Sequence, residues 1–275
     1  DSLTRYIFGK NLSKIKSIKK IYSWSEFQVI ERSFNYAIRK NSSTIKLIAC
    51  QFYLNYETYF NTYVDDLDNE MLSSAHEVLV NGEYYLLNRN QVRYKNGVSL
   101  RYKDVFSFSK HPNGDNILLL GSYIESDTMH MLNSLGSFDR VLFKNHPAVD
   151  IRKFGKLNTN TLPVNDNIYS LFKNASMVIA TASGSSVEAV ACGISVIIIA
   201  SQDNFTANPL IDYGKGKIWD IAFSSDDVKK MYNKLITYRN NHADEIQKIA
   251  AWYKENFFTE PTEENIIKAF ELDKE

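Results

Sequence analysis

The sequence lacks an excess of charge of either sign. Its 275 residues contain 32 Lys and Arg and 32 Asp and Glu, so the formal net charge is zero. A protein that binds nucleic acid normally carries a basic excess or a basic stripe. The balance therefore argues against a general nucleic-acid-binding protein, and we expect no nucleic-acid partner.

Cysteine is scarce and long apolar runs are missing. Cys50 and Cys192 lie in apolar stretches, which indicates buried thiols in a reducing compartment and neither a disulfide framework nor a metal site. No apolar run reaches the roughly 18–20 residues that span a bilayer, and no secretory signal is visible. We expect a cytoplasmic protein. Because the first residue is Asp rather than Met, we also expect a piece of a longer chain.

A local basic stretch, GKNLSKIKSIKK, occupies residues 9–20. Such a run usually forms a solvated surface. Two alternatives are contact with an anionic membrane, as in a peripheral protein at the inner face of the cytoplasmic membrane, and contact with a phosphorylated ligand.

The amino-terminal part predicts strands separated by a helix and a loop. Residues 19–24 and 44–53 are strand-like, and the second run is apolar enough to be buried on both faces of a parallel sheet. Helical spacing over 25–40 predicts a helix capped by Ser25. A polar, Tyr-rich loop with acidic residues follows, and residues 76–90 predict a strand, a turn and a short helix.

Periodicity fades around residues 101–116, and we place a domain boundary there, with His111-Pro112 as its turn. The predicted domains are 1–108, a Rossmann-like domain that is short and therefore reduced or truncated, and 109–275, a second Rossmann-like domain.

After the boundary, strands and helices alternate regularly. Strands are predicted at 116–122, 140–146, 176–182 and 195–201, with helices at 127–138, 165–175 and 185–193 and two more in the tail. This alternation indicates an α/β protein with a parallel sheet covered by helices on both faces. In such sheets ligands bind outside the carboxyl ends of the strands.

The strand at 176–182 ends in the cluster TASGSS. Gly184 permits a tight turn, and Ser185 with Glu188 three residues later predicts a capping box. Free backbone N–H groups and the positive end of the helix dipole would then face an anion. The hydroxyls of Ser183, Ser185 and Ser186 would be further donors. The alternative is that the serines only cap the helix.

A second polar cluster, KNHP, ends the strand at 140–146. Pro147 restricts His146 to extended geometry, and an imidazole beside a phosphate can donate a hydrogen bond or transfer a proton. Lys144 projects from the same face of the strand. A lone His-Pro would more simply be a turn, but a serine cluster on the same sheet favours a shared anion site.

These motifs in order, KNHP, LFKNASMVIATASGSSVEAVACGISVIII and FTANPL, resemble the carboxyl-terminal half of bacterial surface-carbohydrate glycosyltransferases of GT-B type. They are similar in particular to sialyltransferases and Kdo transferases that carry His-Pro and Ser-Ser or Ser-Thr motifs. The resemblance covers residues 117–212 and extends faintly to YSWSEFQ upstream. It implies a GT-B fold and a CMP-linked donor, with no cofactor and no required metal.

The resemblance also implies which residues act in catalysis and which bind the donor. His146 would act in catalysis and in holding the phosphate. The implied donor-binding residues are Gly121, Lys144, His146, Pro147, Thr181, Ser183, Gly184, Ser185, Ser186, Glu188 and Asn208.

Transfer to a hydroxyl also needs a base, for which Glu26 is the candidate. It follows the strand at 19–24, and Trp24-Ser25-Glu26 matches a faint Trp-x-Glu pattern of the family. The alternative is a first-turn Glu stabilised by the helix dipole. Three aspartates in the polar loop are rivals that we expect to be solvated, Asp65, Asp66 and Asp68.

We therefore expect transfer of a CMP-activated ulosonic acid, such as a sialic-acid-like sugar or Kdo, to a glycan or lipid-linked glycan. Alternatives on the same fold are a polyol-phosphate transferase of teichoic-acid type and a nucleotide-sugar epimerase, which would need more acidic residues around the serine loop. The remaining alternative is a domain that binds nucleotide or glycan without turnover.

Overall fold

Two separate parallel sheets organise the chain, each in its own unit. The computed structural model describes residues 1–56, 59, 62–109 and 114–272. Contacts between residues divide the chain into unit 1, Asp1–Lys103 together with the segment from Glu255 onward, and unit 2, Asp104–Lys254. The predicted boundary turn, His111-Pro112, lies outside the described residues.

Unit 1 contains a four-stranded sheet, which we call sheet 1, in which all strands are parallel, in the order β1-β2-β3-β4. Its strands are β1 Lys20–Trp24, β2 Lys46–Gln51, β3 Glu77–Val80 and β4 Arg93–Asn96. The helices of this part are α1 Ser2–Leu12, α2 Val29–Asn41 and α3 Asp66–Glu70, with 3-10 turns at Glu83–Tyr85 and Leu100–Tyr102.

The start of α2 differs from the prediction. Ser25 does not cap the helix, because its hydroxyl accepts the Phe27 N–H at 3.3 Å within a turn after β1. Phe27 has a φ of 58°, so the chain bends there before it can become helical. The Glu31 carboxylate then accepts the N–H of Gln28, and α2 begins at the next residue.

Unit 2 contains a six-stranded parallel sheet, which we call sheet 2, in the order β7-β6-β5-β8-β9-β10. Its elements are α4 Asp104–Ser107, β5 Asn116–Leu120, α5 Glu125–Ser134, β6 Val141–Lys144, β7 Thr161–Pro163, α6 Ile168–Lys173, β8 Ala175–Ala180, α7 Ser185–Ala191, β9 Ser195–Ile199, β10 Trp219–Ala222 and α8 Ser225–Asn241. A 3-10 turn spans Ile151–Phe154. Two further helices follow, α9 Ala243–Phe257 and α10 Glu263–Phe270.

The central strands of unit 2 are buried on both faces, which explains their continuous apolar sequence. Alternate residues of β5, β6, β8 and β9, such as Leu119, Phe143 and Ile179, join side chains of α5 and α8 in one core. The intervening residues, such as Leu118 and Val178, are equally buried on the other face. The predicted fold class, parallel sheets flanked by helices, is confirmed.

The carboxyl-terminal segment departs from the predicted domains, which assigned it to 109–275. Phe257 stacks on Tyr84 with ring centroids 4.3 Å apart. Phe270 meets Tyr22 edge-on at 5.3 Å and joins the core cluster of sheet 1. These aromatic contacts hold the segment in unit 1, because burying the rings there removes apolar surface from water.

Candidate functional site

The strand order of unit 2 defines a switch point between β5 and β8. From β5 the chain proceeds to β6 and β7 on one side, and then returns to β8, β9 and β10 on the other. In doubly wound sheets a crevice opens outside the carboxyl ends of the two strands where the direction reverses. The register pairs Leu120 with Lys144 and Leu119 with Ile179, so β5, β6 and β8 end close to the same level.

Gly121 lets the ends of β5 and β6 approach closely. Its N–H donates to the Lys144 carbonyl at 2.9 Å. A Cβ added to Gly121 would lie 3.1 Å from the His146 nitrogen and 3.2 Å from the Phe143 ring. The structure thus brings three predicted site residues, Gly121, Lys144 and His146, to one edge of the sheet.

The His146 imidazole is oriented by its own turn. Ala148 donates its N–H to Nδ1 at 3.2 Å, which leaves the ring proton of the neutral form on Nε2. Partial burial lowers the pKa of His146, so the neutral form dominates at pH 7. The Tyr123 ring lies edge-on with its centroid 6.2 Å from the imidazole. His146 therefore offers an Nε2–H donor, while Pro147 beside it is exposed.

Lys144 is tethered along the same edge. Its Nζ donates to the Asp166 carbonyl at 2.8 Å, in the loop between β7 and α6. Only one of its three ammonium protons is used in this bond. The ammonium therefore has two donors left for an anion near the end of β6.

The serine cluster forms a tight turn after β8. The Ser183 N–H donates to the Thr181 carbonyl at 2.8 Å, and the Ser186 N–H donates to the Ser183 carbonyl at 3.0 Å. Gly184 is the residue before α7, with φ −56° and ψ −26°, and no side chain caps the helix. The predicted capping box is wrong, because Ser185 is already inside the helix.

The Ser185 hydroxyl is committed elsewhere. It donates to Glu188 Oε1 at 3.0 Å, and the Tyr169 hydroxyl donates to Glu188 Oε2 at 2.5 Å. A serine has a single hydroxyl proton, so Ser185 in this arrangement can accept from a ligand but cannot donate to a phosphate. Burial, together with the Glu188 carboxylate, raises the pKa of Tyr169, so it remains a donor. Glu188 is only 6 % exposed, so its carboxylate accepts these two hydrogen bonds in the interior of the unit.

Two other hydroxyls of the cluster are buried beneath the turn. Thr181 is 2 % exposed and Ser186 is fully buried. Neither hydroxyl has a hydrogen-bond partner among the residues that the structure describes. Ser183, by contrast, is half-buried and is the serine best placed to meet a ligand. The cluster therefore divides into one accessible donor, one acceptor and two buried hydroxyls.

Asn208 was predicted at the donor site from the Asn-Pro-Leu motif. Its amide oxygen accepts the Leu210 N–H and its amide nitrogen donates to the Leu210 carbonyl, both at 3.0 Å. The side chain thereby orders its own loop, and a ligand contact from it stays a prediction.

Glu26 lies in the turn between β1 and α2, so it is not in the first turn of a helix. The Trp24 indole donates to Glu26 Oε1 at 3.2 Å, and the carboxylate is exposed. Its place after β1 agrees with the predicted carboxyl-end position, while its role as a base stays a prediction.

The three aspartates that rival Glu26 are structural. Asp65 accepts the Asp68 N–H at the start of α3. Asp68 pairs with Arg32 at 3.1 Å. Asp66 accepts backbone N–H groups of the 90–92 segment, which lower the pKa of its carboxyl. Asp66 and Asp68 have the Asp-x-Asp spacing of some metal sites, but their oxygens are already used. Within the described ranges, no group of three or more His, Cys, Asp or Glu side chains could hold a metal ion.

Sequence reasoning missed an aromatic concavity in unit 1, although the Tyr-rich stretch was its signal. The concavity is lined by Gln51, Tyr53, Asn55, Tyr63, Val80, Tyr85 and Tyr94. Tyr85 is 7 % exposed, and its hydroxyl has no hydrogen-bond partner in the part of the chain that the structure describes. The Tyr53 ring also approaches Trp24, with centroids 6.2 Å apart.

Comparisons with known proteins show the fold. No protein-family model matches the sequence, and no curated protein matches it. Among solved structures the chain is similar to S. aureus MnaA in its complex with UDP, at TM-score 0.62 and 8% identity over 99% of this chain and 81% of that one. It is similar to the UDP-GlcNAc 2-epimerase of Methanocaldococcus jannaschii, at TM-score 0.60 and 10% identity over 100% and 81%. It is also similar to CalG4, the calicheamicin glycosyltransferase, at TM-score 0.59 and 9% identity over 99% and 77%.

The chain therefore has the GT-B fold that glycosyltransferases and UDP-GlcNAc 2-epimerases share. In the part of the chain that the structure describes, every helix is too short or too polar to cross a bilayer.

Proposed function

We propose that the chain is a glycosyltransferase that binds a nucleotide-activated sugar at the carboxyl edge of sheet 2. The observation that carries this proposal is the set of donors at the carboxyl edge of sheet 2, on both sides of β5: the Nε2–H of His146, the ammonium of Lys144 and the Ser183 hydroxyl. They follow β6 and β8, which flank β5 in a sheet order that creates a binding crevice. The favoured donor is a CMP-linked ulosonic acid, whose single phosphate suits one imidazole and one ammonium.

His146 would act on the leaving group. When the bond between the sugar and the phosphate oxygen breaks, negative charge develops on that oxygen, and a neutral Nε2–H donor stabilises it without giving up its proton. The acceptor hydroxyl forms the new bond to the sugar and loses its proton to a base, for which we propose Glu26. The acceptor would be a surface glycan or a lipid-linked glycan, and neither a metal nor a cofactor enters the step.

An epimerase is the second candidate, because two of the similar structures are a UDP-GlcNAc 2-epimerase and a protein solved with UDP. Epimerisation requires proton removal and return at a sugar carbon, and therefore acid–base groups beside the sugar. The acidic residue nearest the serine turn, Glu188, is held by Tyr169 and Ser185. This engagement favours transfer over epimerisation. A polyol-phosphate transferase and a domain without turnover remain as alternatives that the next two experiments distinguish.

Calorimetric titration with CMP, CDP, UDP and GDP tests the donor site. We expect CMP to bind, and His146→Ala and Ser183→Ala each to weaken it about tenfold, the loss of one hydrogen bond to a charged group. Lys229→Ala, an exposed substitution on α8, is the matched control. Preference for UDP or CDP would contradict the CMP donor, and no response to any nucleotide would contradict the function itself.

Glu26→Gln tests the base. Transfer from a CMP-sugar to a glycan should fall by at least about 10²-fold, because general base catalysis is lost, while CMP affinity stays unchanged. Normal turnover by this variant would show that another group takes the proton. Interconversion of sugar epimers by the wild-type protein, without transfer, would favour the epimerase.

A further inference from the structure

Helix α1 is anchored to α2 through one face only. Gly9 is the buried residue of α1, and a Cβ there would lie 3.0 Å from both Ala37 Cβ and the Phe34 carbonyl. The two backbones therefore approach closely at this glycine. The Tyr6 and Tyr36 rings, 6.2 Å apart, extend the same contact. The opposite face of α1 is left outside this packing.

That opposite face is apolar. Leu3 is 71 % exposed and Ile7 is 49 % exposed, and their spacing of four residues places them side by side on the helix. Two further large apolar side chains of the segment are exposed: Phe8, 49 % exposed, stacks one side of its ring on Phe34 of α2, and Ile15, 46 % exposed, lies just after the end of α1. We call Leu3, Ile7, Phe8 and Ile15 the apolar ridge. Several large apolar side chains exposed within one short segment indicate an interaction surface, unlike single exposed residues.

The segment that carries the ridge is also basic. Every charged side chain between residues 2 and 20 is Lys or Arg, in a chain whose net charge is zero. Lys20 pairs with Glu271. The others, Arg5, Lys10, Lys14, Lys16 and Lys19, are exposed, and in the described ranges none of them pairs with a carboxylate. Lys14 and Lys16 flank Ile15 directly.

We propose that the apolar ridge and its lysines dock on an anionic phospholipid bilayer. The ridge would enter the boundary between headgroups and acyl chains, and the lysines would meet lipid phosphates at the same depth. Exposed apolar and basic residues alternate along this short segment, which matches a layer of anionic headgroups above an apolar interior. A protein partner fits less well, because lysine is depleted from protein–protein interfaces. The docking does not depend on the proposed transfer reaction.

Vesicle co-sedimentation of the full chain tests this docking. We expect binding to phosphatidylcholine vesicles that contain phosphatidylglycerol, little binding to phosphatidylcholine alone, and release as salt rises, because salt screens the charges. Lys14→Gln with Lys16→Gln should weaken binding about fivefold for each charge removed. Ile7→Gln should weaken binding at low and high salt alike, because the apolar contribution is not screened.

Matched controls lie elsewhere on the surface. Lys229→Gln with Lys230→Gln removes two exposed charges from α8, and Leu67→Gln removes an apolar side chain that is 63 % exposed. Neither should change vesicle binding. Equal binding to neutral vesicles, or equal loss in the control variants, overturns the proposal. So does self-association in sedimentation velocity that Ile7→Gln abolishes while vesicles are not bound, which would assign the ridge to contact between copies of the chain.

Discussion

Near the carboxyl ends of sheet 1 several side chains are large and aromatic, whereas small residues directly follow β5 and β8 of sheet 2. Trp24 is the last residue of β1, Tyr53 follows β2, and Tyr85 follows β3. Sheet 2 instead presents Gly121 after β5 and a run of Thr, Ser and Gly after β8. The residues at the carboxyl edges of the two sheets thus differ in size and in chemical character.

The difference has a physical meaning. Aromatic rings offer broad apolar faces with a polar hydroxyl at one end, which suits the faces and edges of sugar rings. Small residues let backbone N–H groups and short hydroxyls approach a compact anion such as a phosphate. The small residues of sheet 2 agree with the proposal above that a phosphate binds there.

The largest expected effect is a loss of stability that differs between two glycines, Gly82 after β3 and Gly121 after β5. A Cβ on Gly82 would lie 2.5 Å from the Asn256 carbonyl oxygen and from the Phe257 carbonyl carbon, and this backbone cannot move aside cheaply. Gly82→Ala should therefore lower the free energy of unfolding by about 3 kcal/mol. Gly121→Ala meets contacts of 3.1–3.2 Å, so it should cost less than about 1 kcal/mol.

Gly121→Ala should nevertheless weaken nucleotide binding, because it pushes on the backbone nitrogen of His146. Urea unfolding and calorimetric titration of both variants measure the two effects. Equal loss of stability in the two variants, or full nucleotide affinity in Gly121→Ala, would remove the distinction between a structural and a ligand-binding glycine.

A smaller effect concerns buried hydroxyls on both sheets. In the described structure the hydroxyls of Thr181 and Tyr85 have no hydrogen-bond partner. Thr181→Val and Tyr85→Phe should each raise the free energy of unfolding by about 1 kcal/mol, since an unpaired buried hydroxyl is removed. Ser195→Ala is the control, because that buried, unpaired hydroxyl lies at the amino-terminal start of β9, away from the carboxyl edge.

Turnover should differ between the two edge variants and the control. If the edges reorganise to engage ligands, Thr181→Val and Tyr85→Phe should lose turnover despite greater stability, while Ser195→Ala keeps it. Thermal unfolding and turnover assays on the same preparations give both readings. Destabilisation by any of the three would mean that its hydroxyl is hydrogen-bonded in solution.

The smallest effect is a pH dependence that originates in sheet 1. The His76 Nδ1 accepts the Leu47 N–H at 2.9 Å. Burial and the Arg39 charge lower the pKa of His76 below its usual range. The unfolded chain therefore takes up a proton more readily, so this contribution to stability is complete above about pH 6.5 and is lost as the pH falls through the folded pKa.

His76→Asn keeps an acceptor for Leu47 that does not titrate. Below pH 6.5 it should recover about 1 kcal/mol relative to the wild type, the worth of one hydrogen bond, with little change at pH 8. Urea unfolding at several pH values measures this difference. If the pH dependence of the free energy of unfolding is the same in His76→Asn as in the wild type, another residue is the titrating group. His146→Asn, at the edge of sheet 2, should remove the contribution of His146 to the pH dependence of the free energy of unfolding. It should also weaken nucleotide binding.

The parallel strands buried on both faces were predictable, because β2, β5, β6, β8 and β9 are continuous apolar runs bounded by polar clusters. The strands β4, β7 and β10 were not predicted. β4 is RYKN, β7 is three residues of which two are exposed, and β10 follows an irregular stretch. Each is at the edge of its sheet, where fewer neighbours require apolar side chains.

At the candidate site, position was predictable and hydrogen bonding was not. His146 and the serine cluster lie at the carboxyl edge of one sheet, as the alternation of elements predicts. The proton of Ser185, however, goes to Glu188, which is held by Tyr169 nineteen residues earlier. Spacing along the chain cannot reveal the contact between Tyr169 and Glu188, and the capping box failed because α7 already includes Ser185.

The sequence by itself determined the fold class and which strand ends carry polar residues, because apolar periodicity depends on burial and follows the local chain. Only the tertiary structure decided the switch point between β5 and β8, since strand order depends on long-range pairing. It also decided which hydroxyls can donate, because a proton shared with a distant carboxylate is fixed by packing. The return of the segment from Glu255 to unit 1 was decided in the same way, through aromatic contacts between residues far apart in the chain.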